Sequence, residues 1–447
     1  MSPTPSPAAA CPASSGWWVV ILGGLVAAWG LGLSALRIAT EGPGVLGVNN
    51  DVPWGWDIVL FVYWIGLGHA GTLISAVLLL TRQRWREPIA HYAEWMTLCA
   101  VGTAAVFPLV HVGRAWMIWQ VTPLPVASGV WPHPGSALMW DAAAISAYAL
   151  LSLLFLHMGM QGARARSAGL RPLWERSCVL MAGVLTPTVV LVHSVVACDF
   201  ATTLRWHWPL MPPFFVCGAL LSGMAAIILI ALWRRCEARV HDCLARLTLA
   251  LALIIGIFYA LELQDSPAMW SGEYALMLGL NVGLPCLFLI PAARTCKPLL
   301  ALVAVGILAG MWVERSLIII SRSIVETGGA YAPTGVDTAM LVGSVGLFFA
   351  LFAAGALYLR RHSAAPAPRL NPDTAPPAAP GRAALAGAAG GLLLALAWLL
   401  LTGGADTAGA AGHRPEGLFI AFPIITVAGL LGAGLALFFH LRHRLHP

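Results

Sequence analysis

The chain has 447 residues and a net charge of +6, with 59% hydrophobic but only 10% charged residues and a mean hydropathy of +0.81. A soluble domain carries about a quarter of its residues as charges, so the composition excludes a soluble enzyme and indicates an all-α polytopic membrane protein. The basic excess does not mark a nucleic-acid partner: the arginines sit in short loops between apolar runs, the footprint of orientation in a lipid bilayer.

Residues 1–16 form a tail without a basic n-region, and the apolar run behind it is too long for a signal peptide, so a disordered tail and a retained first helix are expected. Runs of about 20 apolar residues cross a bilayer core. They predict twelve helices, at 17–38, 56–80, 93–114, 139–160, 177–199, 212–233, 246–264, 274–292, 298–320, 336–359, 384–402 and 417–441. The segment 363–383 is rich in Pro and Ala and reads as a flexible linker. It separates a ten-helix domain, 17–362, from a C-terminal helix pair within 384–447. Arg and Lys alternate from loop to loop, and only Arg37, Arg114, Arg205, Arg315, Arg322 and Arg414 fall on the side away from the others. The positive-inside rule then places both termini in the cytoplasm of a bacterial inner membrane. Gly71-Thr-Leu-Ile-Ser75 resembles Gly218-Ala-Leu-Leu-Ser222, 147 residues on. This weak parallel repeat suggests two stacked bundles, about 56–199 and 212–320, although similarity among apolar helices arises by chance as well.

The nine cysteines are scattered singly, with no CxxC or CxxCH cluster. Neither an iron–sulfur cluster nor covalently attached haem is expected within this chain, and no metal site. Ionisable side chains at membrane depth cost roughly 3 kcal/mol or more and persist where they face the protein interior. They are Asp57, His69, His111, Arg114, Asp141, His193, Asp199, Glu262, Glu314, Arg315 and Arg322, and most fall in the outer half of their helices. His111 closes helix 3 and Asp141 opens the antiparallel helix 4, so the two lie at similar depth. An imidazole and a carboxylate, one at each ring oxygen, can take the two protons of a quinol. His111 and Asp141 are therefore the expected catalytic pair. The plainer reading of Asp57, Asp141 and Asp199 is helix capping or contact with interfacial water, and for Asp57 it is the favoured one. His69 and His193 fit a satisfied core hydrogen bond as well as a proton-transfer role, and Glu314, Arg315 and Arg322 fit structural ion pairs.

DVPWGWDIVLFVYWIGLGHAGTLISAVLLLTRQRWR, FPLVHVGRAWMIWQVTPLP and LMWDAAAISAY, with VLVHSVVACDFA, WVERSLIIISRS and YAPTGVDTAML further on, resemble the polysulfide-reductase/NrfD-like membrane subunits over about residues 17–360. The likeness is greatest to the quinol-oxidising branch found in alternative complex III. The resemblance implies two four-helix bundles flanked by a helix on each side, and quinol or quinone as substrate in the first bundle near the periplasmic face. It also implies no resident redox cofactor, an iron–sulfur partner subunit that takes the electrons, a paralogous membrane subunit and cytochrome c subunits. His111 and Asp141 fall on the family's quinol-site positions, and the matching motifs put His69 and Arg114 among the expected substrate-binding residues. Asp57, His193, Asp199, Glu262, Glu314 and Arg315 are the expected proton path. The C-terminal helix pair departs from the family pattern. Two other readings stand beside this one: a haem-b quinone-reactive anchor, which needs facing histidine pairs, and a secondary transporter, which would concentrate charge at the midplane.

Overall fold

The computed structural model describes residues 16–121, 137–164, 170–203 and 208–362. Among these residues there is no strand, and ten helices are long and apolar enough to cross a membrane. They are α1 (Trp17–Glu41), α2 (Trp56–Leu80), α3 (Ala90–His111), α4 (Asp141–Arg164), α5 (Arg171–Ala201), α6 (Met211–Trp233), α7 (Ala238–Asp265), α8 (Gly272–Leu289), α9 (Lys297–Thr327) and α10 (Gly335–Arg361). Each matches one of the first ten expected spans. The tail 1–15, the linker 363–383 and the C-terminal pair lie outside the described residues.

Local chemistry sets the helix ends. Pro212 and Pro213 open α6, and Pro298 opens α9, where a missing N–H leaves no bond unmade. Thr334 and Asp337 form a reciprocal cap at the start of α10: the Thr334 N–H donates to Asp337 Oδ2 at 2.8 Å and the Asp337 N–H to Thr334 Oγ1 at 3.3 Å. Gly328 stops α9 in the left-handed region, at φ +70°. Pro108 conflicts with the carbonyl of Ala104, and α3 is broken between Ala104 and Val106. The expected helix through residue 114 ends at His111, stopped by Gly113 in the left-handed region at φ +69°. In α8 a π-turn at Gly279–Gly283 precedes Pro285 and Pro291, which divide the rest into short 3-10 turns. A second π-turn, Leu317–Ser321, interrupts α9.

Packing follows burial. Helix α2 is the most enclosed span, 94% buried over its apolar window, whereas α1 is 22% buried and shows Trp18, Ile21, Leu25 and Leu36 outward. Helix α2 packs on α3, α5 and α6, α4 packs on α5, and α6 packs on α7 and α9. The α2–α6 crossing joins the α2–α5 group to the α6–α9 group. A Cβ on Gly223 would come within 1.9 Å of Ala70 Cβ, so glycine alone permits this approach. Helices α1 and α10 pack mainly against each other, with α10 also on α3. The expectation of one flanking helix on each side is thus corrected: the two flanking helices form a pair.

Candidate functional site

The start of α2 and the end of α3 meet at one end of the first group. His111 Nδ1 lies 2.8 Å from Asp57 Oδ2. Asp57 is completely buried, while the His111 side chain is 28% exposed. The other carboxylate oxygen, Asp57 Oδ1, accepts the Gly55 N–H at 3.2 Å. A carboxylate only accepts, so Nδ1 carries the proton and Nε2 presents the lone pair. The loop after α9 closes over this corner. Trp56 N–H donates to the Tyr331 hydroxyl at 3.1 Å, and that hydroxyl donates to Asp337 Oδ2 at 3.1 Å. Burial pushes the Tyr331 phenol above its ordinary value.

Equal depth predicts that His111 pairs with Asp141. It pairs instead with Asp57, and Asp141 shares a hydrogen bond with Asp199 on α5. The physical reason is packing. Helix α3 lies directly on α2 and brings the imidazole onto the first turn of α2; depth alone could not choose between two carboxylates at one level. Two carboxyl groups share a hydrogen bond only when one of them is protonated, and the remaining oxygens stay free to accept. Asp141 is buried, and its Oδ1 has no partner. Trp54, just before α2, packs on Phe200 beside Asp199 with ring centroids 4.8 Å apart. Arg114 is exposed in the turn that follows α3.

A second group lies about 18 Å along α2, twelve residues from Asp57 at 1.5 Å per residue. His69 Nδ1 donates to Ile65 O at 2.7 Å. Its ring stacks on Tyr148 at 4.5 Å and meets His193 edge-on at 4.4 Å. His69 Nε2 and both His193 nitrogens are buried without a protein partner. Rings in direct contact leave no room for a porphyrin between them, so this histidine pair does not fit axial haem ligation.

The third group belongs to α6–α9. Arg315 Nη1 pairs with Glu314 Oε1 at 2.6 Å, and the Tyr259 hydroxyl donates to Glu314 Oε2. Asn281, carried inward on the α8 π-turn, donates to the Tyr259 oxygen at 2.9 Å. Tyr274 donates to Glu262 Oε2 at 3.2 Å. A Cβ on Gly218 would lie 3.0 Å from Arg315 Nη2, and one on Gly66 3.7 Å away, so two glycines on facing helices make the notch for the guanidinium. Arg322 donates to Ser266 Oγ at 2.9 Å. The structure therefore sorts the expected proton-path residues into three groups rather than one file. Sequence reasoning passes over Tyr148, Tyr259, Tyr274, Asn281, Tyr331 and Asp337. Neutral side chains give no signal of charge in lipid, and Asp337 shows only as part of a Thr-x-x-Asp cap.

Comparison with known proteins bears on the family of the chain. The profile of the family described as "Polysulphide reductase, NrfD" matches residues 44–327. A putative membrane subunit of dimethyl sulfoxide reductase from Halobacterium salinarum is 24% identical over 411 residues, covering 78% of this chain and 92% of that protein. An Hdr-like menaquinol oxidoreductase integral membrane subunit of Archaeoglobus fulgidus is 22% identical over 49% of this chain and 53% of its own length. A selenate reductase subunit of Mesobacillus selenatarsenatis is 24% identical over 51% of this chain and 59% of its own length.

Proposed function

The chain belongs to the polysulphide reductase NrfD family, and we propose that it is the quinol-oxidising membrane subunit of a respiratory oxidoreductase of the alternative complex III type. The observation that carries this reading is the hold of buried Asp57 on the partly open His111. It fixes the imidazole as a proton acceptor at Nε2, at an end of the bundle where the loop arginines are few. By the positive-inside rule that end is the periplasmic face, and both termini are cytoplasmic.

Quinol lies with one hydroxyl at His111 and the other at Asp141. As the first O–H breaks, His111 Nε2 takes the proton and Asp57 stabilises the imidazolium that forms. The second proton goes to the Asp141–Asp199 pair, whose unpartnered Asp141 Oδ1 is the vacant acceptor. An iron–sulfur partner subunit on the same face would take the two electrons one at a time, and quinone departs. Further partners in such a complex are a paralogous membrane subunit and cytochrome c subunits. The name of the Archaeoglobus relative, a menaquinol oxidoreductase subunit, supports the substrate class. His111→Ala and Asp141→Asn complexes, purified with all subunits present, are expected to lose quinol oxidation. Normal turnover in both variants overturns the reading.

A further inference from the structure

The end of the first group opposite His111 holds a buried ionisable cluster that quinol chemistry does not use. Glu94, on the first turn of α3, is 3% exposed and lies among groups from four other segments. Ser75 Oγ on α2 donates to Glu94 Oε1 at 2.6 Å. His91 Nδ1 lies 3.2 Å from Glu94 Oε2. Arg86, buried in the loop before α3, donates to Ser75 Oγ at 3.3 Å. Burial holds the Arg86 guanidinium below its ordinary value while Glu94 opposes that shift. Cys178 on α5 is near enough to feel Glu94. Gly159 on α4 leaves room for His91, since a Cβ there would lie 2.9 Å from His91 Cε1. His91 Nε2 is itself buried and has no partner.

Hydroxyl groups connect this cluster to the middle of the membrane. Thr72 sits one turn from Ser75 on the same face of α2. The Thr97 hydroxyl accepts the Thr72 N–H at 2.9 Å and donates to Gly68 O at 2.6 Å. The Tyr148 hydroxyl bonds to Gly68 O at 3.2 Å, lies beside the Thr72, Thr97 and Ser152 hydroxyls, and carries the ring that stacks on His69. Thr72 Oγ1 and Ser152 Oγ have no partner of their own. Each unpaired buried polar atom costs about 1–3 kcal/mol, so these hydroxyls stand ready to take a further hydrogen bond.

We propose that Glu94, with His91 and Ser75, is a proton-binding site at the arginine-rich end of the first group, and that it exchanges protons with the His69–His193 pair through the Ser75, Thr72, Thr97 and Tyr148 hydroxyls. The ligand is a proton delivered by water. Its O–H bond to the donor water breaks as the Glu94 O–H bond forms, and no electron moves. The site stands apart from the quinol reading and is tested separately.

The test uses the intact complex in lipid vesicles and two measurements. Infrared difference spectra recorded on a pH change should show a protonated-carboxyl C=O stretch that Glu94→Gln removes and Ser75→Ala keeps. A pH dye on the arginine-rich side should report proton uptake during turnover, slowed about tenfold or more by either variant when the relay is cut. An unchanged carboxyl band in Glu94→Gln, or unchanged uptake in both variants, overturns the proposal. Wild-type complex that oxidises quinol and takes up no proton on that side overturns it as well. If Glu94→Gln does not assemble, Ser75→Ala decides alone through uptake. Normal quinol oxidation by both His111→Ala and Asp141→Asn would remove the quinol reading and leave the Glu94 band result standing.

Discussion

Asp57→Asn separates an orienting carboxylate from a helix cap. Asn keeps the size and can still accept the Gly55 N–H, so the cap survives. The charge-assisted bond to His111, 2.8 Å long with Asp57 wholly buried, does not. Hydrogen bonds to charged groups contribute about 1.5–3 kcal/mol. At 1.36 kcal/mol per tenfold, the variant should lose roughly 10- to 150-fold in kcat. The loss should appear in kcat more than in KM, because the bond strengthens as the imidazolium forms and contributes less to substrate binding. The assay is quinol-dependent reduction of the natural acceptor by purified complex, with the full set of subunits verified on the same sample. A fully assembled Asp57→Asn complex with wild-type kcat would refute the argument, and so would one that differs only in KM.

Three further outcomes test the frame around the site. Arg315→Leu strands buried Glu314 without its cation and should cost about 3–5 kcal/mol, read as loss of the protein from detergent extracts; Glu314→Gln alone should be milder. Gly223→Val forces a side chain into Ala70 at the α2–α6 crossing and should cost at least about 1–3 kcal/mol, read by thermal aggregation of the complex. Tyr331 holds the loop over α2 as a neutral phenol, and its raised pKa means that this stabilisation is present below the unfolded value of about 10 and is lost as pH rises beyond it. Hydrogen exchange of residues 328–334 should therefore quicken at alkaline pH in the wild type, and in Tyr331→Phe it should be faster already at neutral pH with less further change.

Much of the fold was legible because lipid enforces it. Backbone groups in hydrocarbon must be paired within the helix, so long apolar runs have one outcome, and all ten described spans fall where the sequence puts them. Helix ends were legible where a local group sets them, as at Pro212 and Pro298. The break in α3 before Val106 was not, because the effect of Pro108 on a carbonyl four residues back competes with a continuing apolar pattern. The ionisable groups were legible as residues and not as partners. Depth follows from counting along each helix, but which helices touch depends on side-chain volumes across the whole bundle. Asp57, expected to be a cap, became the partner of His111 for that reason. The paired arrangement of α1 and α10 was hidden in the same way, since two apolar helices carry no mark of which neighbour they choose.

The weak repeat gains meaning from what its two copies enclose. Gly71 and Gly218 stand at corresponding places, and each receives a close neighbour: a Cβ on Gly71 would lie 2.3 Å from Ala93 O on α3, and one on Gly218 3.0 Å from the Arg315 guanidinium on α9. Small residues at the two positions thus serve different ends, close helix approach in the first group and a buried cation in the second. Ser75 donates to Glu94, whereas Ser222 at the matching place turns back to its own helix at Ala219 O. Val216 and Phe258 occupy the places of His69 and His111. The histidines that can accept protons therefore belong to the α2–α5 group, and the α6–α9 group supplies a fixed Arg315–Glu314–Tyr259 assembly beside them. Arg315 is close enough to His193 for their charges to interact. Arg315→Lys keeps a cation beside Glu314 but loses the fit of the guanidinium in the notch made by Gly66 and Gly218, so it should cost less stability than Arg315→Leu, read by the same loss from detergent extracts.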